Sequence, residues 1–132
     1  MNYLLDTHIL IWTFFEPAKL SKRIQQILTD GNNDIFVSAV SFWEISIKTG
    51  TGKISLGDIN PSKLPEICRK YGFKLIDITV EEGSSFHKLS ANYHKDPFDR
   101  MLIWQAISGD YNLITDDSLI HNYISEGLRV SW

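Results

Sequence analysis

The chain has 132 residues, 43% of them hydrophobic and 22% charged, and a formal net charge of −3. That length suits one domain, here taken as residues 1–132, with a single sizeable core, and the acidic balance excludes a protein that grips nucleic acid mainly through a basic surface. One cysteine, Cys68, excludes an internal disulfide and Cys-rich zinc sites and points to a reducing cytoplasm.

Residues 2 to 5, NYLL, read as a short buried strand that ends at Asp6. The opening MNYLLDTHILIW carries Asp6 and His8 and no basic start, so it does not read as a signal peptide. No apolar run approaches the roughly 20 residues of a membrane helix, and no membrane role is expected. ILIWTFF suggests a helix closed by Pro17, and LSKRIQQILTD a second, with Leu20, Ile24, Ile27 and Leu28 on one face. Gly31-Asn32-Asn33 is a turn. DIFVSAV is a second strand, about 35 to 39, and SFWEISIKTG a helix that stops near Gly50. TGKISLGD is a loop. Pro61 starts another helix, closed by Gly72. FKLID is a third strand and TVEEGSSFHKL a helix weakened by Gly83. DPFDRMLIWQAISGD has the strongest helix signals, with Pro97 in its first turn and Gly109 past its end. NLIT is a fourth strand, DDSLIHNYISEG a short helix and LRVSW a final strand. Strands alternating with helices predict an α/β fold: a mostly parallel sheet covered by helices on both faces, a three-layer α/β/α sandwich. Sites in such folds lie beyond the carboxyl ends of the strands.

The acids fall there. Asp6 follows the first strand, Asp116 and Asp117 follow the fourth, and Glu44 sits on the first turn of the helix after the second. Asp96 and Asp99 open the helix that leads into the fourth strand. Each has a plain structural use. Ser41 and Glu44 have capping-box spacing, Asp96 with Pro97 behind it is a ready N-cap, and Asp99 favours the helix dipole. Capping does not explain why acids from four segments gather at one edge. Carboxylates so gathered repel unless cations neutralise them. Oxygen-only ligands suit Mg²⁺ or Mn²⁺.

The stretches LLDTHILIW, VSAVSFWEISIK, HKDPFDRMLIWQA and LITDDSLI, in this order and spacing, resemble the PIN-domain family. Within it they are most similar to the VapC-like ribonuclease toxins of bacterial type II toxin–antitoxin pairs. The resemblance spans nearly the whole chain. DTH alone is a weak signal; HKDPFDR followed by LITDD is a specific one. It implies a metal-dependent endoribonuclease with about five parallel strands, a homodimer, and an antitoxin partner that blocks the acids. The family's first, second and third acids match Asp6, Glu44 and Asp99, and Asp96 matches the extra acid of the DPFDR subgroup. The fourth follows a threonine by two positions, Thr115 to Asp117; Asp116 beside it leaves open which of the pair faces the metal. Trp104 stands where many relatives carry a small residue.

On this reading Asp6, Asp99 and Asp117 hold Mg²⁺, and Glu44 positions a water or acts as general base. The hydroxyls of Thr7 and Thr115 orient the acids. Lys48 and Arg100 are candidate phosphate contacts, although solvated or ion-paired surface charge is the commoner use of such residues. Lys53, Lys88, His94 and Lys95 are the other members of any local basic patch. His8 has the chemistry of a base or ligand but reads first as a polar filler that hydrogen-bonds locally at a helix start, and His94 reads first as exposed loop and second as an RNA contact. Trp12, Phe14, Phe15, Phe42 and Trp43 have the chemistry to stack on bases, but core packing or a dimer surface is the expected use of aromatics set beside Leu and Ile. The apolar excess of ILIWTFF suggests a partner surface.

Two other classes compete. A receiver domain needs an acid pair after its first strand and a lysine near its last. Asp6 is single and LRVSW has no lysine, although Asp77 after the third strand is placed to accept a phosphoryl group. A binding module that keeps the fold without turnover is the second alternative; the filled acid positions argue against it.

Overall fold

The computed structural model describes residues 1–132. Asn2–Leu5 forms β1, and Asp34–Ser38, Lys74–Ile76, Asn112–Ile114 and Arg129–Ser131 form β2 to β5. The sheet order is β3-β2-β1-β4-β5 and every neighbouring pair is parallel. Leu4 of the central strand is in register with Phe36 on one side and Leu113 on the other. A strand buried on both faces has no use for alternation, which is why NYLL and NLI read as continuous apolar runs.

Six α-helices fill the connections: α1 Thr7–Phe15, α2 Lys22–Thr29, α3 Ala39–Gly50, α4 Leu64–Lys70, α5 Val80–Ser85 and α6 Pro97–Ser108. Tyr3, Leu5, Ile35, Val37 and Ile114 pack one face of the sheet against Ile9, Leu10, Ile24, Leu64 and Cys68. Leu4 and Leu113 pack the other face against Leu102, Ile103 and Ala106 of α6 and against Ile120 and Tyr123. The two apolar layers make the predicted α/β/α sandwich, and no helix is long and apolar enough to cross a membrane.

Several boundaries differ from the sequence expectation. α3 begins at Ala39, not Ser41, because Ser38 is its cap: Ser38 Oγ accepts from the Val40 amide at 3.0 Å. The Ser41/Glu44 capping box therefore does not form, and Glu44 lies in the second turn. The capping box forms instead at α5, where Thr79 and Glu82 exchange bonds of 3.0 and 2.9 Å. α5 is short and passes into a 3-10 turn over Phe86–Lys88. The expected helix before β5 is a 3-10 segment, Ile120–Glu126. The aromatics of α1 are half-buried against the first core rather than displayed: Phe14 meets Tyr71 and Phe73, and Trp12 meets Trp132.

Candidate functional site

A cleft of about 220 Å³ opens at the carboxyl ends of β1 and β4, lined by Asp6, Thr7, His8, Ile11, Glu44, Lys48, Ile54, Asp96, Asp99 and Asp117. Parallel pairing puts β1 and β4 side by side with their carboxyl ends together, so Asp6 and Thr115 leave the sheet as neighbours; the Asp6 amide still bonds to the Ile114 carbonyl at 3.0 Å. Asp6 is buried and caps α1, its Oδ1 accepting from the Thr7 amide at 2.8 Å. Its Oδ2 accepts from the Thr115 hydroxyl at 2.7 Å. Thr115 in turn accepts from the Asp117 amide at 3.1 Å, so one hydroxyl ties the first acid to the last.

Glu44 reaches the cleft from α3 and is only 5% exposed. Its Oε2 pairs with Lys48 one turn on, while its Oε1 is buried with no hydrogen-bond partner. Asp96 caps α6, Oδ1 accepting from the Phe98 and Asp99 amides at 2.8 and 3.3 Å. Asp99 stands in the first turn behind it.

These placements raise the electrostatic cost of the folded state. Burial, and then the charges of Asp6, Asp96 and Glu44, push the Asp99 carboxyl up to about 7. Burial also raises Asp6, against the pull of His8 and the Thr115 hydroxyl. Lys48 is raised by its bond to Glu44. At Asp117 burial is outweighed: bonds from His94 and the Leu119 amide hold its carboxyl below the usual range. An orphaned carboxylate oxygen beside acids that resist ionisation is a site short of positive charge.

The acids of the lining fit a hard divalent cation, since they offer carboxylate oxygens, although His8 and Lys48 line the cleft beside them. They do not form a closed cage, since no three His, Cys, Asp or Glu side chains converge on one point. Glu44 is drawn to Lys48 and Asp117 to His94, so side chains have to turn before several of them share an ion.

The family model for the PIN domain matches residues 3–123. The chain belongs to the PIN-domain family. Ribonuclease VapC22 of Mycobacterium tuberculosis is 25% identical to this PIN domain over 120 residues, covering 91% of this chain and 90% of that protein. Among solved structures, VapBC2 from Rickettsia felis, bound to a DNA fragment from their promoter, superposes with a TM-score of 0.70 at 20% identity, over 99% of this chain and 98% of that one. DNA-bound VapBC from Salmonella typhimurium gives 0.68 at 16% identity, over 99% and 97%. FitAB bound to an IR36 DNA fragment gives 0.64 at 16% identity, over 99% and 94%. These likenesses establish the fold.

In this PIN domain the acids from four chain segments do line one cleft. Asp117 faces it, whereas Asp116 turns to His8. Four other residues depart from expectation. His8 is no bystander: its Nδ1 lies 3.3 Å from Asp6 Oδ2 while its Nε2 meets Asp116. His94 is 9% exposed, not a free loop residue, and its Nε2 bonds to Asp117 Oδ2 at 2.8 Å. Arg100 meets neither phosphate space nor an acid. Its guanidinium donates to the carbonyls of Leu89, Ala91 and His94 at 3.0, 2.8 and 3.4 Å. The Thr7 hydroxyl also differs, bonding Ser41 Oγ at 3.0 Å rather than an acid. Of the residues named for a basic patch, Lys48, His94 and Arg100 have partners within the fold, while Lys53, Lys88 and Lys95 are exposed. Trp104 packs half-buried against the second core and donates to Ser85 Oγ at 3.1 Å. The partners of the two histidines could not be read from the sequence because they lie 108 and 23 residues away.

Proposed function

We propose that this PIN domain, folding as one unit over residues 1–132, is a divalent-metal-dependent endoribonuclease of the cytoplasm. It is the toxin of a toxin–antitoxin pair, working as a homodimer and held in check by a cognate antitoxin. The observation that carries the chemistry is the acid cleft: Asp6, Glu44, Asp99 and Asp117 from four chain segments around one opening, with Glu44 Oε1 buried and unpartnered. The ribonuclease name of the VapC22 relative supports RNA as substrate, and the VapBC and FitAB assemblies among the structural relatives support a protein partner.

Asp6, Asp99 and Asp117 are the residues to hold Mg²⁺ or Mn²⁺, with Asp96 at the margin and Asp116 outside. The bound ion supplies a Lewis acid that lowers the pKa of water and offsets phosphate charge. Glu44 Oε1 accepts the proton of the attacking water. Lys48, beside Glu44, is placed to meet a phosphate oxygen. Thr115 keeps Asp6 and Asp117 in mutual register through its two hydrogen bonds.

Asp6→Asn, Asp99→Asn and the double variant test this. Each is expected to stay folded and to lose Mg²⁺-dependent RNA cleavage by about 100-fold or more, with calorimetry showing weakened Mg²⁺ binding. A double variant that cuts as well as the parent ends the proposal.

A further inference from the structure

Three of the four tryptophans are tied into the fold. Trp12 and Trp132 pack on the first core, and Trp104 packs on the second and spends its N–H on Ser85. Trp43 is different. It belongs to neither core, is 57% exposed, and its ring contact is Phe98, edge to face, with centroids 5.0 Å apart. Neither ring lines the acid cleft, but each is next in sequence to an acid that does. Trp43 precedes Glu44 on α3, and Phe98 precedes Asp99 on α6. Phe98 is also fixed to the cleft wall, because its amide donates to Asp96 Oδ1 at 2.8 Å. On α3, Glu44 and Lys48 share the face that lines the cleft, while Trp43 and Ile47 share the adjacent, exposed one.

A nucleic-acid strand approaching this cleft meets mostly negative charge. The chain carries a net −3, and Lys48, His94 and Arg100 already have partners. A bound cation and Lys48 locate one phosphate, and a contact indifferent to charge adds affinity beside it. An exposed indole held by a fixed ring supplies one, since every base has a π-face to stack.

We infer that Trp43, backed by Phe98, is a stacking ledge for an unpaired nucleobase flanking the phosphate at the cleft. This rests on the ribonuclease reading and deepens it by naming the residue that seats a base beside the phosphate. Trp43 is a positioning residue, with no part in bond cleavage.

The test uses a fluorescein-labelled twelve-nucleotide oligoadenylate RNA, with Ca²⁺ replacing Mg²⁺ to slow cleavage, and reads binding by anisotropy. Trp43→Ala weakens binding by about tenfold and Trp43→Phe by less than about threefold. Neither changes the Mg²⁺ isotherm in calorimetry. In cleavage assays Trp43→Ala raises KM and leaves kcat nearly unchanged. An RNA with abasic residues in place of the bases binds the parent more weakly by the same factor and does not distinguish parent from Trp43→Ala. Equal binding of the base-bearing RNA by parent and Trp43→Ala overturns the ledge. So does a Trp43→Ala protein that binds RNA normally but changes its mass in light scattering, since the ring then belongs to an interface between copies. A parent that neither binds nor cuts RNA defeats the ribonuclease reading itself, and the ledge with it.

Discussion

Asp99 carries the clearest electrostatic consequence of the fold. Its carboxyl sits at about 7, against an ordinary 3.8, because it is buried and faces Asp6, Asp96 and Glu44. Between those two values the folded chain keeps a proton that the unfolded chain has released. Stability from this group is therefore greatest at the acid end and falls as pH rises through the window. Asp6, raised in the same direction, adds to the trend. Asp117, lowered by its hydrogen bonds, loses its contribution only in stronger acid, so it does not cancel the slope near neutrality. In a chelating buffer the melting temperature is expected to drop between about pH 5 and 7, and Asp99→Asn to flatten much of that drop. Parallel profiles for parent and variant would show that Asp99 ionises freely. The acids themselves were legible in the sequence, because strand ends and cap signals placed them. Their wiring was not. His8 and His94 choose between Asp116 and Asp117 through contacts that only the folded chain creates.

At the scale of an element, the segment ahead of α6 is held by one side chain. Arg100 reaches back to the carbonyls of Leu89, Ala91 and His94, with its guanidinium 5.4 Å from the Phe86 ring centre. That strap has no helix or strand of its own between Leu89 and Asp96, yet it carries His94, which fixes Asp117. A planar fork serves several carbonyls at once, and an ammonium on a flexible stem does not. Arg100→Lys is expected to keep α6 intact and to cost about 1.5–3 kcal/mol, the range for hydrogen bonds to a charged group. Backbone amides of residues 89–95 should exchange with deuterium faster, which mass spectrometry of peptides reads directly. Unchanged exchange there would mean the strap is held by Tyr123, whose hydroxyl accepts from the His94 amide at 3.0 Å, and not by the arginine. Element positions followed from apolar runs and punctuation. The start of α3 did not, because Ser38 and Ser41 are both good caps one turn apart. Ser38 prevails where β2 ends, and its hydroxyl also donates to Gln105 of α6. That choice moves Glu44 into the second turn of the helix.

The whole molecule is two apolar layers sharing one sheet, and β1 belongs to both. Tyr3 and Leu5 face the first layer, Leu4 the second, and strands flank β1 on either side. Neither layer has a sheet of its own to pack on, so the layers have no route to separate melting. This follows from strand order, which the sequence leaves unstated: alternating elements predict a parallel sheet, while the central place of β1 emerges only when β2 and β4 pair on opposite sides of it. Leu4 is fully buried and meets Val40, α6 and the segment around Tyr123. Leu4→Ala leaves a cavity there and should cost about 2–5 kcal/mol. Although the lost contacts lie in one layer, the effect should reach both. Trp12 and Trp132 report on the first layer and Trp104 on the second. Urea curves followed by tryptophan fluorescence and by far-ultraviolet circular dichroism are therefore expected to coincide in parent and variant, with the midpoint lowered in the variant. Curves that separate in Leu4→Ala, with the fluorescence of Trp104 lost before that of Trp12, would mean that the two layers fold as distinct units and that residues 1–132 are not one cooperative domain.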